Sequence, residues 1–460
     1  VSVEAGMGQV ASTGFGLRAR LIRSSGWSAG GFLISQGLRL GSNLVLTRLL
    51  FPEAFGLMAL ITIFIVGLTL LSDIGVSPSI QQSARGDDTD FLDTAWTIQC
   101  IRGIVLWLSC FFLGTFAAWI YDDTRLELML PVAGLTLLVS GFNPTRIETA
   151  SRHLMLGRVT MLDVIAQVLS LAVMIGLSFS MRSVWALIIG GVIAAVIRLI
   201  IMQYYLPGPR NRFRWDQSAA VELINFGKWI FLSTLCGFAL TQGDKAILGK
   251  YLSLEVLGIY NIGYFMAGFP QAMISKIMSQ VMIPLHRECP PGASDANYAK
   301  VRKLRAVMTA LVFAAQFSLA FSGLWIIALL YDDRFLAAGA VVVAVACMNV
   351  PFLIGMTYDF SALGQGDSRG VFRLLLVKAT VQTVFFIAGM EYYGLLGAFA
   401  GLWVSQVLVH PFVIQLARRH GAWDPWHDLS YAVLGVILTA LVLHVHGDAL
   451  LSLQSLTLDQ

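Results

Sequence analysis

The sequence predicts an all-α polytopic membrane protein of about 12–14 transmembrane helices, built as two six-helix lobes around a central cationic cavity. Three observations predict it. AVILMFWYC make up 57% of the 460 residues and charged residues 13%, about half the charged share of soluble proteins, and the mean hydropathy is +0.74. Apolar runs long enough to cross a bilayer, about 20 residues each, recur along the chain. The two halves also carry matching residues at a fixed offset, the mark of an internal duplication.

So few charges cannot cover the surface of a soluble protein of this size. That excludes an ordinary cytosolic enzyme, an extracellular disulfide scaffold, a nucleic-acid binder and a disordered chain. The formal net charge of +4 says little, because in a membrane protein the placement of charge outweighs its sum. Cys100, Cys110, Cys236, Cys289 and Cys347 form no CxxC and no metal spacing. Four lie in apolar stretches, where a thiol behaves as a small hydrophobe, so no disulfide framework and no metal site are expected.

Apolar runs near 28–50, 54–76, 94–121, 126–148, 159–180, 183–206, 222–247, 254–285, 303–330, 335–361, 370–392, 395–417 and 428–446 predict thirteen spans. The organisation expected from them is a cytoplasmic N-terminal segment (1–23), a six-helix lobe (24–206), a cytoplasmic linker (207–221), a second six-helix lobe (222–420) and an extra C-terminal helix with its tail (421–460). The first run carries Arg39 at its centre, is too long for a signal peptide and lacks an A-x-A site, so it reads as an uncleaved first helix. The connections are too short to hold a soluble catalytic module.

Basic residues orient the chain. With the N-terminus in the cytoplasm, the inner segments hold nineteen Lys and Arg, among them Arg18, Arg20, Arg23, Arg210, Arg212, Arg214, Lys300, Arg302, Lys303 and Arg305. The outer segments hold six: Arg48, Arg125, Arg182, Lys245, Lys250 and Arg334. This positive-inside bias predicts a multi-pass membrane protein with its N-terminus in the cytoplasm.

A shift of 202 residues places Trp27 on Trp229, Arg48 on Lys250, Leu50 on Leu252, Glu53 on Glu255 and Gly56 on Gly258. A shift of 210 places Tyr121-Asp122-Asp123 on Tyr331-Asp332-Asp333, and a shift of 211 pairs Glu148 with Asp359 and Gly190 with Gly401. Chance matches among apolar residues do not produce an ordered Trp, Glu-x-x-Gly and Tyr-Asp-Asp series. Six helices per unit is an even number, so the halves enter the membrane in the same direction, as in transporters that work by alternating access.

Arg39, Arg102, Arg198, Lys228, Lys276 and Lys378 fall within spans. Lys228 is near enough to the inner end to snorkel. Arg102, Arg198, Lys276 and Lys378 lie about 12–13 Å from the cytoplasmic ends of their helices at 1.5 Å per residue, and Arg39 is near mid-membrane. A cation at the bilayer centre costs about 2.5–3.5 kcal/mol or more, so these five are expected to line a wet cavity or to pair with acids. Acids are few: Asp73, Glu148, Asp163 and Asp359 near inner ends, and Asp244 beside Lys245 near the outer end of its helix. The deep layer is therefore expected to be net positive and to draw anions, with arginine suited to phosphate by its paired donors. The alternative is that each cation is neutralised locally.

Amides within the spans, among them Asn43, Asn143, Gln242, Asn349, Gln382 and Gln406, are expected mostly to bond between helices, with a few free to meet sugar hydroxyls. Asn43, Asp73, Asn143, Asp244, Lys245 and Asp359 are the candidates for glycan or gating contacts. Gly397-Ala398-x-x-Gly401 reads as a close helix contact. No phosphate-binding loop and no HExxH occurs, so no catalytic residue and no cofactor is expected. Transport would be gradient-driven or downhill, with Na+ or H+ as a possible coupling cation.

The segments LTRLLFPEAFGLMAL (46–60), LLSDIGVSPSIQQ (70–82), QGDKAILGKYLSLEVLGIYNIGYF (242–265) and MIPLHRE (282–288) resemble the polysaccharide transporter family. Its members are the O-antigen and exopolysaccharide flippases of the multidrug/oligosaccharidyl-lipid/polysaccharide (MOP) superfamily. The likeness runs over about residues 24–420. It implies an inner-membrane flippase that moves undecaprenyl-pyrophosphate-linked oligosaccharide from the cytoplasmic to the periplasmic leaflet. The implied partners are the lipid-linked oligosaccharide, membrane lipids and the polysaccharide assembly machinery, with no nucleic acid. Members commonly have twelve or fourteen spans rather than thirteen, and no family-wide ion-coupling residue can be matched here. Three other readings stand beside it: a cation-coupled drug or organic-ion antiporter of the same superfamily, which would favour buried carboxylates; a membrane-embedded glycan polymerase or ligase, which would need a large outer loop; and a scaffolding subunit.

Overall fold

The computed structural model describes residues 2–153 and 155–458, with side chains described at 26–153, 155–224 and 232–454. The basic side chains before the first span, and Lys228, lie outside the described side chains. Among the described residues there is no strand. The helices, in order, are α1 (Ser2–Leu49), α2 (Pro52–Leu71), α3 (Val76–Gln82), α4 (Thr89–Tyr121), α5 (Arg125–Gly141), α6 (Arg146–Arg152), α7 (Leu156–Met181) and α8 (Val184–Tyr205). They continue with α9 (Gln217–Tyr251), α10 (Leu254–Glu288), α11 (Asp295–Leu330), α12 (Ala338–Met348), α13 (Val350–Gly355), α14 (Asp359–Gly364), α15 (Ser368–Arg419) and α16 (Pro425–Leu458).

Each of the thirteen expected spans has a helical counterpart. Seven helices among the described residues are by themselves long and apolar enough to cross a membrane, and nine when each of two bent pairs counts as one span. The bent pairs are α5 with α6, at 58°, and the stretch through α12–α14, at 42°. Pro144 and Pro351 stand at these breaks, where a ring without an N–H cannot continue the helix. The long helix α15 covers two expected spans because it turns back at Gly394 (φ 61°, ψ −147°), in a region open to glycine. Its two legs then touch backbone to backbone: a Cβ on Gly397 would lie 2.0 Å from the Gly389 carbonyl oxygen, and one on Gly401 2.1 Å from that of Phe385. The small-residue pattern at 397–401 is thus a helix contact, as its spacing suggests. The last helix runs on past Gly447 to Leu458, with a local break at His446, so the stretch after Gly447 is helix rather than a plain tail.

Side-chain caps start several helices. Asp88 accepts the amide of Asp90 at α4, Ser253 that of Val256 at α10, and Ser294 that of Asn297 at α11, satisfying donors that the first turn leaves free.

The chain divides into two compact units: Val1–Asn43 with Ser72–Phe231, and Leu44–Leu71 with Leu232–Gln460. The sequence boundaries placed 44–71 in the N-terminal lobe. It belongs instead with the second unit because α2 closes against α10 at two glycines. A Cβ on Gly56 would fall 1.8 Å from the Leu254 carbonyl oxygen, and one on Gly258 2.0 Å from that of Pro52. Phe55 extends this contact to Phe335, edge to face at 5.9 Å.

Within the first unit the 207–221 segment is not a loose linker. Arg146 donates to the carbonyls of Gln203, Leu206 and Gly208. Buried Asp93 accepts from Asn211 and from the Arg212 amide, Thr97 from the Arg214 amide, and Thr94 from the Asp216 amide. Arg85 closes the strap with a 2.9 Å ion pair to Asp216.

Candidate functional site: a polar cavity in the second unit

The second unit encloses a cavity of about 430 Å³. Helices α9, α10, α12–α14 and both legs of α15 wall it, and their polar groups converge there by helical spacing. Lys378 and Gln382 are four residues apart on one leg of α15, and Gln406 and His410 four apart on the other, which sets each pair on one helix face. Asp244 comes from α9, Tyr264 and Gln271 from α10, Asn349 from the α12–α13 break and Asp359 from the start of α14.

Asp244 is 6% exposed. Its Oδ2 accepts a 2.6 Å hydrogen bond from the fully buried Tyr260 hydroxyl, while Oδ1 has no hydrogen-bond partner. Tyr260 is itself held by a stacked contact with Phe399, centroids 6.1 Å apart. The neighbouring Lys245 places its ammonium 5.5 Å from the Tyr264 ring centre, a cation–π distance. Across the cavity Lys378 donates to Asp359 at 2.6 Å, and the second oxygen of Asp359 is left without a partner. The Gln406 carbonyl oxygen is likewise unpartnered, and Gln382 donates to the Leu240 carbonyl at 3.4 Å.

The ionisable side chains on this wall are Asp244, Tyr264, Asp359, Lys378 and His410, with Lys245 over the Tyr264 ring. Buried acceptor oxygens without a hydrogen-bond partner lie in its wall at Asp244, Asp359 and Gln406. Such a lining accepts hydrogen bonds from hydroxyls or holds a cation. Lys378 lines this cavity and is paired with the carboxylate beside it.

The other expected residues are placed as follows. Lys276 is half-buried on α10 and does not line the cavity. In the first unit Arg198 pairs with Asp163 at 2.8 Å, both side chains about 40% exposed (40% and 39%). Arg102 donates to the Ser72 hydroxyl at 2.9 Å, and Asp73 accepts the Gly75 amide at 2.8 Å, fixing the turn into α3. Arg39 is exposed. Asn43 and Asn143 each bury a side-chain oxygen without a partner. Glu148 accepts from Ser77 and Gln81. For Arg198 and Lys378 the local-neutralisation alternative describes what is seen.

Sequence reasoning missed a second polar cluster. Arg305, counted among the cytoplasmic loop charges, is fully buried on α11 with its guanidinium 4.3 Å over the Tyr358 ring and no hydrogen bond at any of its three nitrogens. Around Tyr358 stand His410, Trp423, His427 and Asp428. Of its members only Trp423, His427 and Asp428 are near one another in the sequence, so spacing gives little sign of it. Among the described residues no group of three or more His, Cys, Asp or Glu side chains is placed to hold a metal ion.

Solved membrane-protein structures share this fold. The lipid II flippase MurJ in an inward closed conformation superposes with TM-score 0.66 at 11% identity, over 91% of this chain and 99% of that one. An inward-facing multidrug resistance MATE family transporter gives TM-score 0.59 at 14% identity, over 87% and 95%. The family profile "Polysaccharide biosynthesis protein" matches residues 45–363, and the chain belongs to that family. Among curated relatives, the lipopolysaccharide biosynthesis protein WzxC of Escherichia coli (strain K12) is 23% identical over 279 residues, 58% of this chain and 54% of that protein. The amylovoran biosynthesis protein AmsL of Erwinia amylovora is 24% identical over 352 residues, 71% of this chain and 86% of that protein. Against WzxC the match therefore spans about half the relative's length.

Proposed function

We propose that this multi-pass membrane protein is a flippase for undecaprenyl-pyrophosphate-linked oligosaccharide, carrying a surface or exopolysaccharide repeat unit from the cytoplasmic to the periplasmic leaflet by alternating access. The observation that carries it is membership of a polysaccharide biosynthesis family on a fold shared with a lipid II flippase. The cavity adds chemistry that suits a glycan: unpartnered carboxylate and amide oxygens at Asp244, Asp359 and Gln406 meet sugar hydroxyls. In this reading the pyrophosphate is met by the deep cations Arg39, Arg102, Arg198, Lys276 and Lys378. A coupling cation, Na+ or H+, would use the carboxyl groups of the cavity. The setting is a bacterial inner membrane with the N-terminus inside and the polysaccharide assembly machinery as partner. Deleting the gene should remove a surface polysaccharide and leave its lipid-linked repeat unit on the cytoplasmic side, and the wild-type gene should restore it.

One observation favours a second reading, a cation-coupled antiporter for drugs or organic ions. Asp244 is a deeply buried carboxyl group with an unpartnered oxygen, the kind of group a cationic cargo requires. If surface glycan is unchanged in the deletion strain and sensitivity to cationic drugs rises, the antiporter reading replaces the first.

A further inference from the structure

His410 touches two environments. Its ring lines the cavity, and its Nε2 lies 3.3 Å from Oδ2 of Asp428 at the start of α16. Asp428 cannot turn away, because three other donors hold it: Tyr358 Oη at 2.7 Å, Trp423 Nε1 at 3.1 Å and His427 Nδ1 at 3.2 Å. The opposite edge of the imidazole sits over Gly355, where a Cβ would stand 3.3 Å from Nδ1. That bare backbone leaves room beside the nitrogen that does not face Asp428.

The titratable groups facing His410 are few. On the cavity side they are Asp244, Tyr264 and the Asp359–Lys378 pair. On the α16 side they are Asp428 and, beyond it, His427, whose Nε2 contacts the Thr309 hydroxyl at 3.0 Å. Tyr358 completes the set, with the Arg305 guanidinium over its far face.

We propose that the His410–Asp428 pair is the proton-binding site of the cavity. In the neutral state Nε2–H donates to Asp428 and Nδ1 is bare. A proton from hydronium in the cavity forms the Nδ1–H bond and leaves water behind, and the imidazolium is held by Asp428. The same proton returns to water on release. Binding adds one positive charge to the cavity, so the affinity for a cation or for a charged cargo changes with it. What the proton drives rests on the transport reading above, whereas its binding does not.

The test is a titration of the full chain in lipid nanodiscs with ¹⁵N-labelled histidine, the His410 signals being assigned by their loss in His410→Asn. The expected result is uptake of one proton at Nδ1 between pH 5 and 9, with Asp428→Asn needing about a tenfold higher proton concentration for the same protonation. A His410 signal that stays constant over that range overturns the proposal. So does an identical titration in Asp428→Asn, provided gel filtration and thermal melting show both proteins folded. A merely structural pair would move the melting temperature and leave the titration in place. The deletion phenotype is measured separately, so failure of the flippase reading and failure of the proton site are told apart.

Discussion

Gly56 on α2 and Gly258 on α10 each press against the backbone of the other's helix, at the carbonyl oxygens of Leu254 and Pro52 respectively. The offset of 202 residues that maps Gly56 onto Gly258 also maps Pro52 onto Leu254. The two contacts are thus one contact made twice, with the matched segments FPEAFGL (51–57) and SLEVLGI (253–259) packed on each other. No side chain larger than hydrogen fits at either point.

Gly56→Leu and Gly258→Leu should therefore each force α2 and α10 apart, at about 1–3 kcal/mol or more for overpacking. Gly176→Leu, at a position with no atom within 4 Å of a built Cβ, is the control. Thermal melting in detergent should show both seam variants several degrees below wild type and the control unchanged.

The same seam shows what was legible in the sequence. The Glu-x-x-Gly match marked Gly56 and Gly258 as related, and apolar run length marked every span, because both signals are local. That the two glycines touch is a long-range fact, and it moved Leu44–Leu71 into the second unit. Asp244, Asp359 and Lys378 could be named as intramembrane charges, yet their meeting depends on α14 and the reversal of α15 at Gly394. Arg305 misled most. Its neighbours Arg302 and Lys303 are exposed, and nothing within a few residues signals that α11 turns this one guanidinium onto Tyr358.

The Lys378–Asp359 pair is only 15% and 27% exposed, so removing either partner leaves a charge that water screens poorly. Lys378→Met and Asp359→Leu should each lower stability by about 1–3 kcal/mol. The double variant should be less destabilised than the sum. A double-mutant cycle by thermal melting checks this, and strict additivity would show that the pair is not coupled.

Asp93 ties down the basic strap through Asn211 and the Arg212 amide. In Asp93→Ala those donors lose their acceptor, at about 1–3 kcal/mol, and the strap should open. Trypsin should then cut at Arg210, Arg212 and Arg214 much faster than in wild type, and only in inside-out vesicles. Cleavage of right-side-out vesicles at these sites would reverse the orientation read from the basic residues.

Arg85 beside Asp216, with help from Ser218, holds that carboxyl well below the usual carboxylate range. A depressed folded value means the stabilisation is full above the ordinary carboxylate range. It fades as the pH falls through that range towards the folded value, where Asp216 protonates and frees Arg85. Melting temperatures of wild type and Asp216→Asn should thus differ by a constant amount from pH 6 to 8 and converge below about pH 4. A gap that widens on acidification would sink the assignment.

Asp244 separates a structural from a functional carboxylate. One oxygen accepts from Tyr260 and the other is buried with no partner. An unmet buried acceptor costs about 1–3 kcal/mol, so the unpartnered oxygen is carried at a loss to stability. Asn is nearly isosteric, keeps an acceptor for the Tyr260 hydroxyl and cannot ionise. Asp244→Asn should therefore melt at or above the wild-type temperature. If the free oxygen meets cargo or coupling cation, the same variant should fail to restore surface glycan to a deletion strain at wild-type membrane levels. Tyr260→Phe should do the converse, losing stability through the abandoned carboxylate while keeping part of the export. A variant Asp244→Asn that melts lower and exports normally would make Asp244 a packing group and remove it from the site.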